Sequence, residues 1–350
     1  MVRASNLDHH LDSVCPSRVQ PAAVPIAPAR SVRQRADPRP SVWVLCSTRV
    51  GEESRGRLWH ATDVQERDLF GYPLDSKLAG DGRGGVWVLC STASTDGSEG
   101  KYRLWHATRY GERNMYEYPE TSQLVGDGRG GVWVLCSTDV NGGSKSMLWH
   151  ANDRREHSLY EYPPGSKLVG DGCGGVWVLC STRVGEESRG RLWHATDVQE
   201  RDLFGYPLDS KLAGDGRGGV WVLCSTASTD GSEGKYRLWH ATRYGERNMY
   251  EYPETSQLVG DGRGGVWVLC STDVNGGSKS MLWHANEQRE RSLYEYPPDS
   301  KLAGDGRGGV WVLARTDAHG ESKVRLWHAN HERERDLYEY PVDSSVVAPS

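Results

Sequence analysis

No apolar run in this 350-residue chain approaches the ~20 residues that cross a bilayer as a helix. The N-terminal stretch also lacks the continuous apolar core of a secretory signal. Helical patterning is missing: Gly, Pro or β-rich clusters interrupt every repeat before a ten-residue helical stretch can form. Hydrophobic residues make up only 37% of the chain, too little for a thick helical core, whereas the 42 glycines suit many short strands joined by turns. An excess of charge is lacking as well. At a net −5 there is no electrostatic case for nucleic acid or an anionic membrane surface, and neither is expected as a partner. Cys-x-x-Cys spacing is absent, and so are Gly-x-Ser-x-Gly, His-Glu-x-x-His and Walker sequences. On those grounds no cofactor, no metal and no catalytic residue is expected, and the chain reads as not an enzyme.

What is present is a repeat. Val-Trp-Val-Leu begins at Val42, Val86, Val132, Val176, Val220, Val266 and Val310, at spacings of 44 or 46 residues. Leu-Trp-His-Ala keeps pace from Leu58 to Leu326, and the 14 tryptophans fall two to a repeat. Seven units of this period point to propeller blades. Each unit reads as four strands, illustrated by Ser76–Gly80, Val86–Ser91, Arg103–Thr108 and Met115–Tyr118, the last stopped by Pro119. The fold class expected is therefore all-β, a seven-bladed β-propeller with four antiparallel strands per blade. Residues 42–152 recur without change as 176–286, which implies recent duplication or construction.

Residues 1–41 hold six prolines and six arginines without periodicity, and read as a disordered arm or linker ahead of a propeller over 42–350. Counting strands settles the closure. The first strand type occurs only six times, at Ser76, Ser122, Ser166, Ser210, Ser256 and Ser300. The seventh is expected at the C-terminus, over Ser344–Ala348, where Val346 takes the place of Leu78. The rival, Val32–Ala36, would put Gln34 there instead.

Gly80-Asp81-Gly82-Arg83-Gly84-Gly85 matches the dinucleotide fingerprint by letter, but it leads into a strand and not a helix. It reads as a tight turn, with glycines at positive φ and the aspartate capping free amides. The seven equivalent histidines, from His60 to His328, are expected to bond the aspartate of such a turn rather than form a metal ring. The paired tryptophans are expected to pack between blades, and the tyrosines of Leu-Tyr-Glu-Tyr-Pro to sit partly exposed at the rim, where sugars stack. Six of the eight cysteines share one repeat position, with neighbours ~10 Å apart and beyond disulfide reach. Reduced, buried thiols follow, and with them a cytoplasmic location.

Every length difference between repeats falls between the second and third strands, where the sequences also diverge most. Loops on a rigid scaffold carry recognition. The candidate binding residues are Arg49, Glu52, Glu53, Arg55, Asp96, Glu99, Tyr102, Asp139, Asn141 and Lys145, with Arg183, Glu186, Asp230, Tyr236, Asn275 and Lys279 in the second copy.

Asp81, Gly84 and Trp87 form a D-x-x-G-x-x-W pattern that resembles the blades of two-component-regulator propellers of bacteria. The near-identical blades are similar to repetitive propellers that serve as sensor domains. That resemblance implies a multivalent recognition or sensor module for a protein or other extended ligand, fused to or associated with an upstream effector domain. The alternative is a lectin with repeated glycan sites between blades, and a propeller hydrolase or lyase ranks last.

Overall fold

The computed structural model describes residues 40–347, apart from 51–52, 63, 92–101, 141–142, 185–186, 226–235, 275–276 and 319–320. Residues 36–350 form one compact unit. Residues 1–39 of the expected arm, and with them the rival strand Val32–Ala36, lie outside the described residues, whereas Ser41 already belongs to a strand.

Seven sheets of four antiparallel strands make up the ring, and among the described residues there is no helix. In blade II the order from the axis outward is Lys77–Gly80, Val86–Ser91, Tyr102–Thr108 and Gly111–Glu117. Blade I is assembled from both ends of the unit: Ser345–Val347 is innermost, followed by Ser41–Val50, Glu53–Thr62 and Glu66–Gly71. Val346 pairs with Val44 and Val347 with Trp43, so the C-terminal strand closes the ring as expected.

The second strand of each blade is an unbroken apolar run because it is covered on both faces. Val86 to Cys90 are all buried. Each side chain set packs across a blade boundary: Trp87 and Leu89 meet Val132, Val134 and Cys136 of blade III. Trp105 packs on the opposite boundary, with Trp43 and Leu45 of blade I. Both tryptophans of a repeat are therefore inter-blade packing, and the core is seven wedges rather than one centre.

Between the third and outer strands the register slips once in every blade, at Leu104/Trp105 in blade II. Leu104 faces Tyr116 while Trp105 faces Asn114, leaving Met115 as the extra residue. This bulge lets Met115 and Tyr116, adjacent in sequence, both reach the same inter-blade cluster. Strict alternation in the outer strand would have sent one of them to solvent.

Glycine is required where blades nearly touch at the axis. A β-carbon on Gly126 would stand 1.7 Å from the carbonyl oxygen of Gly80, and one on Gly82, at φ 73°, would stand 2.4 Å from Gly128.

Candidate functional site

Antiparallel order puts two sets of connections at opposite ends of every blade. One end carries the glycine turns and the turns between third and outer strands. The other carries the second-to-third connections and the crossings from one blade to the next.

At the glycine-turn end, the residues singled out from sequence form latches. Oδ1 of Asp81 accepts hydrogen bonds from the amides of Arg83 and Gly85, both at 2.7 Å. Oδ2 of Asp81 lies 3.0 Å from Nε2 of His106, as expected for that histidine. The Trp87 and His106 rings stack at 4.3 Å. Neighbouring turns are also tied to one another, since the amide of Gly130 donates to the carbonyl of Asp81 at 2.7 Å. Burial opposes the Asp127 carboxylate, yet hydrogen bonds from His150 and from the amides of Arg129 and Gly131 hold its pKa below the usual carboxylate range.

The other face of each histidine meets the next blade's turn, and here the repeats differ. Nδ1 of His106 bonds Asp153 at 2.7 Å, and that of His240 bonds Glu287 at 2.8 Å. The equivalent slot beside His284 holds His331, ring against ring at 4.1 Å. Burial works against the His106 cation, but the carboxylates of Asp153 and Asp81 overcome it and raise its pKa to about 9. Sequence reasoning, fixed on the longer connections, passed over this short turn. Its substitutions at one repeat position were the available signal.

The rim expectation holds for the first tyrosine of each motif, which is partly exposed, and needs correcting for the second. Tyr118, Tyr162 and Tyr206 are 7%, 5% and 5% exposed. Their hydroxyls donate to a glutamate of the following blade, at 2.9 Å for Glu156 and 2.8 Å for Glu200. The preceding tyrosine of each motif is half-buried, and Tyr116 donates to the carbonyl of Asn152 at 2.7 Å. Tucked in the blade boundaries, the second tyrosines present no open platform for a sugar. The shared cysteines are buried and unpaired among the described residues, and burial pushes the Cys90 thiol up to about 11.

At the opposite end, most of the expected loops are strands. In blade I pairing continues from Cys46↔Arg57 to Val50↔Glu53, leaving two residues to turn. Blade III does the same from Cys136↔Met147 to Val140↔Gly143, with Asn141-Gly142 between, a dipeptide suited to a two-residue hairpin. Where the repeat is two residues longer, pairing stops at Ser91↔Tyr102.

The sixteen candidate residues consequently divide. Arg49, Glu53, Asp139 and Arg183 lie on paired strands. Arg55, Lys145 and Lys279 are exposed on hairpin flanks, where Lys145 and Lys279 each meet a glutamate, Glu161 and Glu295, at 2.8 Å. Tyr102 and Tyr236 are half-buried, and hydrogen bonds to Glu120 and Glu254 raise their pKa values. Glu52, Asp96, Glu99, Asn141, Glu186, Asp230 and Asn275 lie outside the described residues. The described ones are spread over several blades and do not converge on one point.

A cavity of about 410 Å³ opens on this same face in blade VII, the divergent repeat. It is lined by Pro297, Asp299, Lys301, Arg315, Val324 and Val342, among others. Asp299 holds a φ of 63°, the left-handed value that Gly165 holds at the matching position before blade IV. Arg315 stands where the other repeats have serine, and it donates to Ser322 Oγ at 2.8 Å. Polar and apolar groups from a crossing and a hairpin thus share one groove, which none of the described candidates lines.

No protein-family model matches the chain, and no curated protein matches it. The two-component-regulator kinship implied by the blade motif therefore reduces to the propeller itself. Solved structures share that fold. The acylaminoacyl peptidase of Pyrococcus horikoshii superposes with a TM-score of 0.61 at 12% identity, over 86% of this chain and 51% of that one. The β-propeller domain of the Trilobed protease from Pyrococcus furiosus, described as having an open velcro topology, gives 0.60 at 11% identity over 86% and 95%. A post-proline cleaving enzyme from Rickettsia typhi gives 0.56 at 8% identity over 88% and 54%. The chain thus spans about half the length of the two complete peptidases. These neighbours overturn the reading of the chain as not an enzyme. Propellers of this shape occur within hydrolases, and the absence of nucleophile motifs from a propeller does not set it apart from them.

Proposed function

We propose that this ring is a multivalent recognition propeller of the hydrolase-associated kind, binding an extended polypeptide across its hairpin-bearing face. The observation that carries the reading is the blade VII groove, which brings Asp299, Lys301 and Arg315 together with Val324 and Val342. Its charged and apolar groups suit a peptide's backbone and side chains together. The hairpins of blades I and III recur in blades IV and VI, so the same contacts are offered twice to one long ligand. Titrating fluorescein-labelled casein peptides tests this by anisotropy, with release of labelled fragments followed in the same samples. Arg315→Ser, which restores the residue of the other repeats, should weaken binding by about fivefold, the loss of one charge-assisted contact. Peptide binding that is absent, or unchanged in that variant, would sink the reading, and fragment release would assign the hydrolysis to this chain.

A further inference from the structure

We propose that the mouth of the central channel on the glycine-turn face binds one small molecule carrying several phosphate groups. The glycine turns place Arg83, Arg129, Arg217, Arg263 and Arg307 around that mouth, one in each of five blades. An aspartate two residues before each arginine is a candidate counter-charge. Here the aspartate is spent inward: Asp81 is 3% exposed, one oxygen takes two backbone amides, and the other meets His106. Asp127, Asp215 and Asp261 repeat the arrangement. Among the described residues no carboxylate or carbonyl engages the guanidinium groups of Arg83, Arg129, Arg217 or Arg263, and all four are exposed.

Their direction is set by the absence of side chains next door. Arg83 lies across Gly130, with Cδ 3.1 Å from where a β-carbon would stand, and Arg129 lies across Gly174 in the same way. Arg217 and Arg263 lie across Gly264 and Gly308 likewise, so these four arginines are laid along the ring, Arg83 towards Arg129 and Arg217 towards Arg263. Arg83 and Arg129, and Arg217 and Arg263, are neighbouring cations that repel one another, and a ligand with several anionic groups relieves both pairs at once. Guanidinium forks match tetrahedral phosphate oxygens in pairs, which favours phosphate over isolated carboxylates.

Beneath the mouth lies a cavity of about 260 Å³ lined by the inner strands, including Leu124, Leu212 and Leu258. Gly216 and Gly262, the residues directly before Arg217 and Arg263, also line it. Its apolar wall holds the charged groups of a ligand up at the arginines. In blade IV the arginine is replaced by Cys173, and no side chain lies over Gly218, so the ring has a gap.

The probe is inositol hexakisphosphate in isothermal titration. One site per chain is expected, weakening at least about tenfold between roughly 50 and 300 mM salt, since exposed charges are screened. Arg83→Gln with Arg217→Gln should weaken binding by a further tenfold or so without moving the melting temperature, and Cys173→Arg should tighten it. Should the glutamine pair fail to fold, the salt slope and the Cys173→Arg response still decide. No saturable heat, several weak sites per chain, or an unchanged double variant would overturn the proposal. So would inorganic phosphate binding as tightly as the probe, or a single-stranded oligonucleotide binding more tightly.

Discussion

Deleting the chain after Asp343 removes the innermost strand of blade I, and its cost can be worked through. Ser345, Val346 and Val347 pair with Leu45, Val44 and Trp43. Val346 packs on the blade VII side of the boundary and Val347 on the blade II side, both half-buried. Half of the usual burial gain for two valines is about 2 kcal/mol. The ladder contributes ~1 kcal/mol per hydrogen bond, about 3 kcal/mol in all. Ser344 goes too, and with it the carbonyl that accepts from Lys301 at 3.2 Å. A loss of about 5 kcal/mol is a large share of the 5–15 kcal/mol typical of a folded domain. At ~2 °C per kcal/mol for a chain of this size, the melting temperature should fall by about 10 °C. Blades pack only on their neighbours, so an opened ring should also unfold less cooperatively. Scanning calorimetry reads both effects, as a lower midpoint and a van 't Hoff enthalpy well below the calorimetric one. A midpoint within about 2 °C of the parent, a loss below 1 kcal/mol on the same scale, would refute the argument that the C-terminal strand holds the ring shut.

Two glycines of one turn should respond differently to alanine. At Gly82 the new methyl would meet Gly128 at 2.4 Å as well as take a φ of 73°, whereas at Gly84, with φ 97°, nothing lies within 4 Å. Urea unfolding should therefore show about 1–2 kcal/mol lost at Gly84 and clearly more at Gly82, and equal losses would mean that blade contact adds nothing to backbone strain. For pH, the folded His106 titrates at about 9 and the unfolded one near 6.5. Its stabilising contribution is therefore complete below the unfolded value and fades as pH rises through the folded one. Stability measured from pH 6 to 10 should decline across that window, and Asp153→Asn should flatten the decline. A profile unchanged by the substitution would remove the Asp153 carboxylate from the account.

Much of this architecture is written locally and was legible from the residues. The period of the Val-Trp-Val-Leu marker, the four strand types and the missing seventh inner strand together specify blade number and closure, because each depends only on pattern along the chain. The Asp81 cap and its histidine partner follow from turn chemistry and were legible too. Contacts between blades were not. Whether Tyr162 faces solvent or donates to Glu200 depends on how one sheet is rotated against the next, which no periodicity in either sheet records. The outer-strand bulge at Met115 hides for the same reason, since two adjacent apolar residues can share a face only once the backbone slips. The groove in blade VII joins Val342, on the crossing back to blade I, to Asp299, on the crossing into blade VII. Only the folded blade brings those two crossings together, as it does in blades II and V, where Lys77 reaches the Ser122 carbonyl and Lys211 that of Ser256.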